Sequence, residues 1–230
     1  MAEPAGSVQP FSDPMDTLIS TWVIMGVLVI VALFVRLTLR KKNPGRVQQL
    51  IEAILDWMGG EVRNIIGRDP APFLPLIASL FIFILASNMS SFVSPLFPGL
   101  KPPTSDIRMT AALAGIVFLA VPFYGIMFTG TLNYLKTYVK PVFIMLPFNI
   151  ISDISRTVAL AVRLFGNILS GEILMGVILA LLPFLLPLPL MFLSLITGAI
   201  QAYIFTVLAI VYIGGAVRVV EKHEKEESPT

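Results

Sequence analysis

Four long stretches of this chain contain no charged residue: those between Asp16 and Arg36, Asp69 and Lys101, Arg108 and Lys136, and Glu172 and Arg218. Each is long enough to cross hydrocarbon, which takes about 20 predominantly apolar residues in helical form. A backbone in lipid must satisfy its own hydrogen bonds, and an α-helix does so within the segment. These stretches predict an all-α polytopic membrane protein, one membrane domain over residues 1–230. Composition agrees: 56% of the residues are hydrophobic and 13% charged, with mean hydropathy +0.87. Soluble domains carry roughly 25% charged residues.

The same composition excludes several function classes. There is no cysteine, so disulfides, thiolate metal sites and cysteine nucleophiles are out. The one histidine, His223, lies in a charged tail, which leaves no histidine metal site or catalytic triad. No metal or cofactor is expected, and no nucleotide-binding motif is present. A net charge of +2 is no nucleic-acid footprint.

Charge placement sets the topology. A first span, 18–35, precedes Arg36, Arg40, Lys41, Lys42 and Arg46. The positive-inside rule puts that cluster in the cytoplasm and the acidic N-terminus, 1–17, outside. That N-terminus lacks the basic region of a cleavable signal. Residues 44–66 differ: Val47, Leu50, Ile51, Ile54, Leu55 and Met58 recur at helical spacing among Gln48, Glu52, Asp56 and Arg63. This is an amphipathic helix, lying on the cytoplasmic membrane face or packing against a partner helix. A second span, 73–93, ends in polar turns and a proline-rich external turn, and a third, 109–132, returns to the cytoplasm. Pro141 and Pro147 are expected to break the chain before two long helices, 149–182 and 190–217, joined at Pro183, Pro187 and Pro189. The first would be about 50 Å long, against about 30 Å of hydrocarbon. Such a helix must tilt strongly, curve or lie partly in the membrane plane; the two are expected as a strongly tilted antiparallel hairpin before a cytoplasmic tail, 218–230. There is no internal repeat of the kind common in secondary transporters.

Only the 149–182 segment holds charge inside an apolar run: Asp153, Arg156, Arg163 and Glu172. Such charges are costly and mark function unless they pair or reach the interface. Asp153 and Arg156 stand near the cytoplasmic end and can snorkel or pair at i,i+3. Arg163 is surrounded by uncharged residues and cannot lose its proton. At about 100° per residue, Arg156, Arg163, Asn167 and Ser170 share one face, while Glu172 lies about 180° from Arg163. That separation suits a fixed charge barrier on one side and a titratable proton site on the other. On the last helix Ser194, Thr197 and Gln201 form a thin polar stripe. It either hydrogen-bonds between helices or lines an aqueous path.

The run SRTVALAVRLFGNILSGE, Ser155 to Glu172, strongly resembles the signature of subunit a of rotary F-type ATP synthases. PGRVQQLIEAILDW, FLPLIASLFIFILASN, PPTSDIRMTAALA and QAYIFTVLAIVYI resemble further parts of that family, so the likeness covers roughly residues 15–217. The resemblance implies a stationary subunit of the membrane (Fo) sector, not an enzyme on its own. Its partners would be a ring of c subunits, b-type peripheral-stalk subunits, the rest of the complex and the lipid bilayer. It would offer two offset half-channels carrying H⁺ or Na⁺ to and from ring carboxylates. The arginine matching Arg163 would face the ring, favour its ionised carboxylate and block leakage. Asn167, Glu172 and Gln201 match the external half-channel, and Arg156 and Asp153 the charged positions near the cytoplasmic exit. Thr157 stands where many members have proline, and Ser194 where some carry a histidine or acid, which would leave more of a proton relay to Glu172 and water. A bacterial plasma membrane is the expected location. A solute carrier and a transport-free scaffold are the competing classes.

Overall fold

The computed structural model describes residues 14–38, 45–93, 102–131, 145–181 and 187–227. The elements are α1 (Pro14–Thr38), α2 (Arg46–Ile66), α3 (Leu74–Val93), a 3₁₀ turn (Pro103–Ser105), α4 (Ile107–Thr129), α5 (Met145–Leu181) and α6 (Pro187–Glu227). The chain is an all-α, multi-pass membrane protein: five of these helices contain apolar spans, Thr17–Phe34, Leu74–Phe92, Ile107–Phe128, Pro147–Leu181 and Leu188–Val217. Lys136, Lys140, Pro141, Pro183 and the first half of the proline-rich segment 95–108 lie outside the described residues.

Helix ends follow local chemistry. Gly67, at φ 77°, closes α2 by donating its N–H to the Arg63 carbonyl at 2.9 Å, a left-handed stop that glycine adopts without strain. Asp106 caps α4 by accepting from the Arg108 N–H at 2.9 Å. The long helices depart from the sequence expectation at their prolines. Pro147 stands inside the first turn of α5, and Pro187 and Pro189 inside that of α6. First-turn amides have no intrahelical acceptor, so proline loses nothing there. At its other end α6 runs past Val217 through the charged segment to Glu227.

α6 is the centre of the packing, with α2, α3, α4 and α5 all laid against it. Its Ala202, Phe205, Ala209 and Ile213 are fully buried and recur at the spacing of one helix face. Three pairs of contacts set the directions. Asn88 meets Gly198 and Phe92 meets Phe192, so α3 and α6 are antiparallel. Gly171 meets Ser194 and Arg156 meets Tyr212, so α5 and α6 form an antiparallel hairpin. Trp57 stacks on Tyr203 at 5.3 Å and Ile66 abuts Gly214, so α2 runs alongside α6 in the same sense. The apolar face of α2 (Met58, Val62, Ile66) is buried in the common core, while Glu52, Asp56 and Arg63 stay exposed. α1 packs on α3 and the 3₁₀ turn at the edge of this group.

α3 approaches α6 closely at Gly198. A methyl group at Gly198 would stand 3.0 Å from the Asn88 Cβ, tighter than ordinary packing. A branched side chain there must separate the helices, and overpacking of this kind costs about 1–3 kcal/mol. Gly198→Val should therefore lower the thermal unfolding temperature of the protein in detergent. Gly60→Ala, at an exposed helix position with nothing within 4 Å of the added carbon, should leave it unchanged or raise it, since alanine gains roughly 0.5–1 kcal/mol over glycine in a helix. Equal effects would contradict this packing.

Candidate functional site

α5 buries a narrow stripe, Leu160, Leu164 and Ile168, spaced i, i+4, i+8 along one face. Its opposite face exposes Ile151, Ile154, Val158 and Val162. Over the whole apolar segment Pro147–Leu181 only 11% of the residues are buried, against 44% for Leu188–Val217 in α6. The stripe anchors the helix to α4 and α6 and leaves the rest of its circumference uncovered.

The charged residues flank that stripe. Counting about 100° per residue from Leu164, Arg163 is about 100° to one side and Glu172 about 80° to the other. Both are exposed. Asn167 shares the arginine's side and is half-buried, and Ser170 on the same side is exposed. Among the described residues Arg163 makes no ion pair or hydrogen bond. A guanidinium is a permanent cation with five donors, so at this position it is poised for a partner outside the chain.

Arg156 shares that face and is engaged within the chain. Its guanidinium stands 3.7 Å from the Asp153 carboxylate, the two side chains 53% and 26% exposed, and lies 5.5 Å from the centre of the Tyr212 ring. Thr157 donates its hydroxyl to the Asp153 backbone carbonyl at 2.9 Å. Where a proline would have lacked the N–H, threonine keeps the helix bond and adds a second contact to the same turn.

On α6 the polar stripe divides. Thr197 turns its hydroxyl back to the Leu193 carbonyl at 2.8 Å. Ser194 faces α5, its Oγ 3.5 Å from where a Gly171 Cβ would be, next in the chain to Glu172. Gln201 is buried and its Nε2 has no partner among the described residues. Sequence reasoning gave no part to Tyr212, which lies against Arg156, or to Asn88, Thr104 and Gly198, which are joined to one another. Asn88 donates to the Gly198 carbonyl at 2.8 Å and accepts from the Thr104 hydroxyl at 3.0 Å. The polar last turns of the second span were the visible signal, but nothing local named their partners. Among the described residues no group of three or more histidine, cysteine, aspartate or glutamate side chains could hold a metal ion.

The site is thus a fixed cation on the flank of one overlong, mostly uncovered helix of an all-α membrane protein. The ATP synthase A chain family matches residues 18–214. ATP synthase subunit a 2 of Bradyrhizobium sp. is 46% identical over 89% of this chain and 89% of its own length. The subunit a 2 of Acaryochloris marina is 46% identical over 92% and 89%, and subunit a of Albidiferax ferrireducens 44% over 88% and 86%. The chain belongs to the ATP synthase A chain family.

The exposure of the Asp153–Arg156 pair limits its worth. Asp153→Asn should change the stability of the protein by less than about 1 kcal/mol, as exposed pairs do, read from unfolding in detergent. A larger loss would show that the pair is shielded.

Proposed function

We propose that this chain is the ion-translocating stator subunit of the Fo sector of a bacterial F-type ATP synthase, with its N-terminus outside and its C-terminus in the cytoplasm. The observation that carries the reading is Arg163, a permanent cation without a partner among the described residues, on the uncovered flank of a membrane helix. A ring of c subunits, each with an ion-binding carboxylate, covers that flank. b-type stalk subunits hold the chain still against the turning ring.

Electrostatics then assigns the roles. A cation about 4 Å from a carboxylate, at an effective dielectric of about 20, is worth about 4 kcal/mol. That favours the ionised form about a thousandfold. A ring carboxylate neutralised by H⁺ or Na⁺ therefore releases its ion as it comes to Arg163. The same charge repels any cation that would pass straight from one half-channel to the other. Glu172, on the opposite flank of α5, is the titratable group of the external half-channel, with Asn167, Gln201 and Ser194 as its polar lining. The buried, unpaired Nε2 of Gln201 suits such a path, because a buried polar atom without a protein partner is where ordered water binds. Arg156 and Asp153, held against Tyr212, stand at the cytoplasmic exit.

Arg163→Ala should abolish ATP-driven ion pumping in membrane vesicles while the complex still assembles. Retained coupled pumping would overturn the role given to Arg163. Glu172→Gln should slow pumping and Glu172→Asp should slow it less, because a relay needs an ionisable group. Equal rates in all three forms would return Glu172 to a structural role. Selective transport by the chain reconstituted alone, without a ring, would favour an independent carrier.

A further inference from the structure

Asn88 is 2% exposed and ties three elements together. Its Nδ2 donates to the Gly198 carbonyl of α6 at 2.8 Å, and its Oδ1 accepts from the Thr104 hydroxyl of the 3₁₀ turn at 3.0 Å. Thr104 is fully buried. The tie is made at a point of close approach, where a Gly198 Cβ would be 3.0 Å from the Asn88 Cβ. Gln201 follows Gly198 by three residues and so lies one turn along the same face of α6. It is buried, and neither its Nε2 nor the buried hydroxyls of Ser87 and Ser91, on either side of Asn88, have a partner among the described residues. One amide bonded to protein at both its nitrogen and its oxygen thus stands near polar groups with no partner among the described residues.

That contrast separates two jobs. A side chain with both ends occupied by protein is a fixed strut, whereas one left open is free to bind something that passes. A hydrogen bond to a backbone carbonyl also sets the level of a helix along its axis, as apolar contacts alone do not. We propose that Asn88 is a positioning residue for ion translocation: through Gly198 and Thr104 it fixes the level of α6 at which Gln201 meets the ion path. The proposal rests on the reading of Gln201 as part of that path. It adds a residue on a third helix that acts through Gln201.

A double-mutant cycle tests this in the assembled complex, reading ATP-driven ion pumping in membrane vesicles per assembled complex. Gln201→Ala and Asn88→Ala should each slow pumping about threefold to tenfold, the scale of a hydrogen bond lost within a membrane protein. If Asn88 works through Gln201, the double variant is no slower than Gln201→Ala alone, because coupled sites are not additive. Multiplied losses would overturn the proposal and leave the stator reading intact. Thr104→Val, which keeps the shape and loses the donor, serves the same cycle should Asn88→Ala fail to assemble. It should slow pumping, and Thr104→Ser should restore it; full pumping in Thr104→Val would also overturn the proposal. Pumping at the normal rate in Gln201→Ala would remove Gln201 from the path and the proposal with it. Arg163→Ala would still report on the stator reading separately.

Discussion

A guanidinium in the middle of an uncharged membrane helix cannot shed its charge, and lipid offers it nothing. The chain therefore holds Arg163 at a flank of α5, where a partner can meet it, and uses the opposite constraint to keep it there. Leu160, Ala161, Leu164 and Ile168 give α5 a narrow buried stripe. That suffices to anchor the helix on α4 and α6 and leaves most of its surface uncovered. A helix buried all round would have no side on which to present a charge.

Rigidity is supplied from behind. α6 is gripped by α2 through Trp57 on Tyr203 and Ile66 on Gly214, and by α3 through Asn88 on Gly198. These contacts at Gly198, Tyr203 and Gly214 are spread over about four turns of α6, so the helix that backs α5 is held at several levels. Aromatic stacking and helix contact use no titratable group, and the brace keeps its form whatever the ion load. The amphipathic character of α2 follows from this: its buried face meets the core and its charged face is left to water or headgroups. On α5 the carboxyl of Glu172 lies about 180° round the helix from the fixed charge of Arg163.

Much of this was legible in the sequence, for physical reasons. Charge-free stretches long enough to cross hydrocarbon permit little except helices, so four of the five spans could be read from the placement of charge. Arg163 and Glu172 stand out in the sequence because charge in lipid demands an explanation. The helix starts were read too late, since Pro147, Pro187 and Pro189 act as breakers in a helix interior and as neutral residues in a first turn. Asn88 was hidden for another reason. Its partner Gly198 is 110 residues away in the chain, and a polar helix end near an external turn looks like any solvated end. Tyr212 was hidden likewise, because a tyrosine in an apolar run gives no sign that a cation will rest on its ring.

The central claim is that Arg163 separates two ion paths that communicate only through the turning ring. The most direct test is passive ion flux through the assembled membrane sector with the ring cross-linked to the stator. Introduced cysteines serve for this, since the chain has none of its own. With Arg163 in place the locked complex should carry no flux. With Arg163→Ala the locked complex should conduct, because the barrier between the paths is gone. Flux that stays blocked in the locked Arg163→Ala complex would contradict the account.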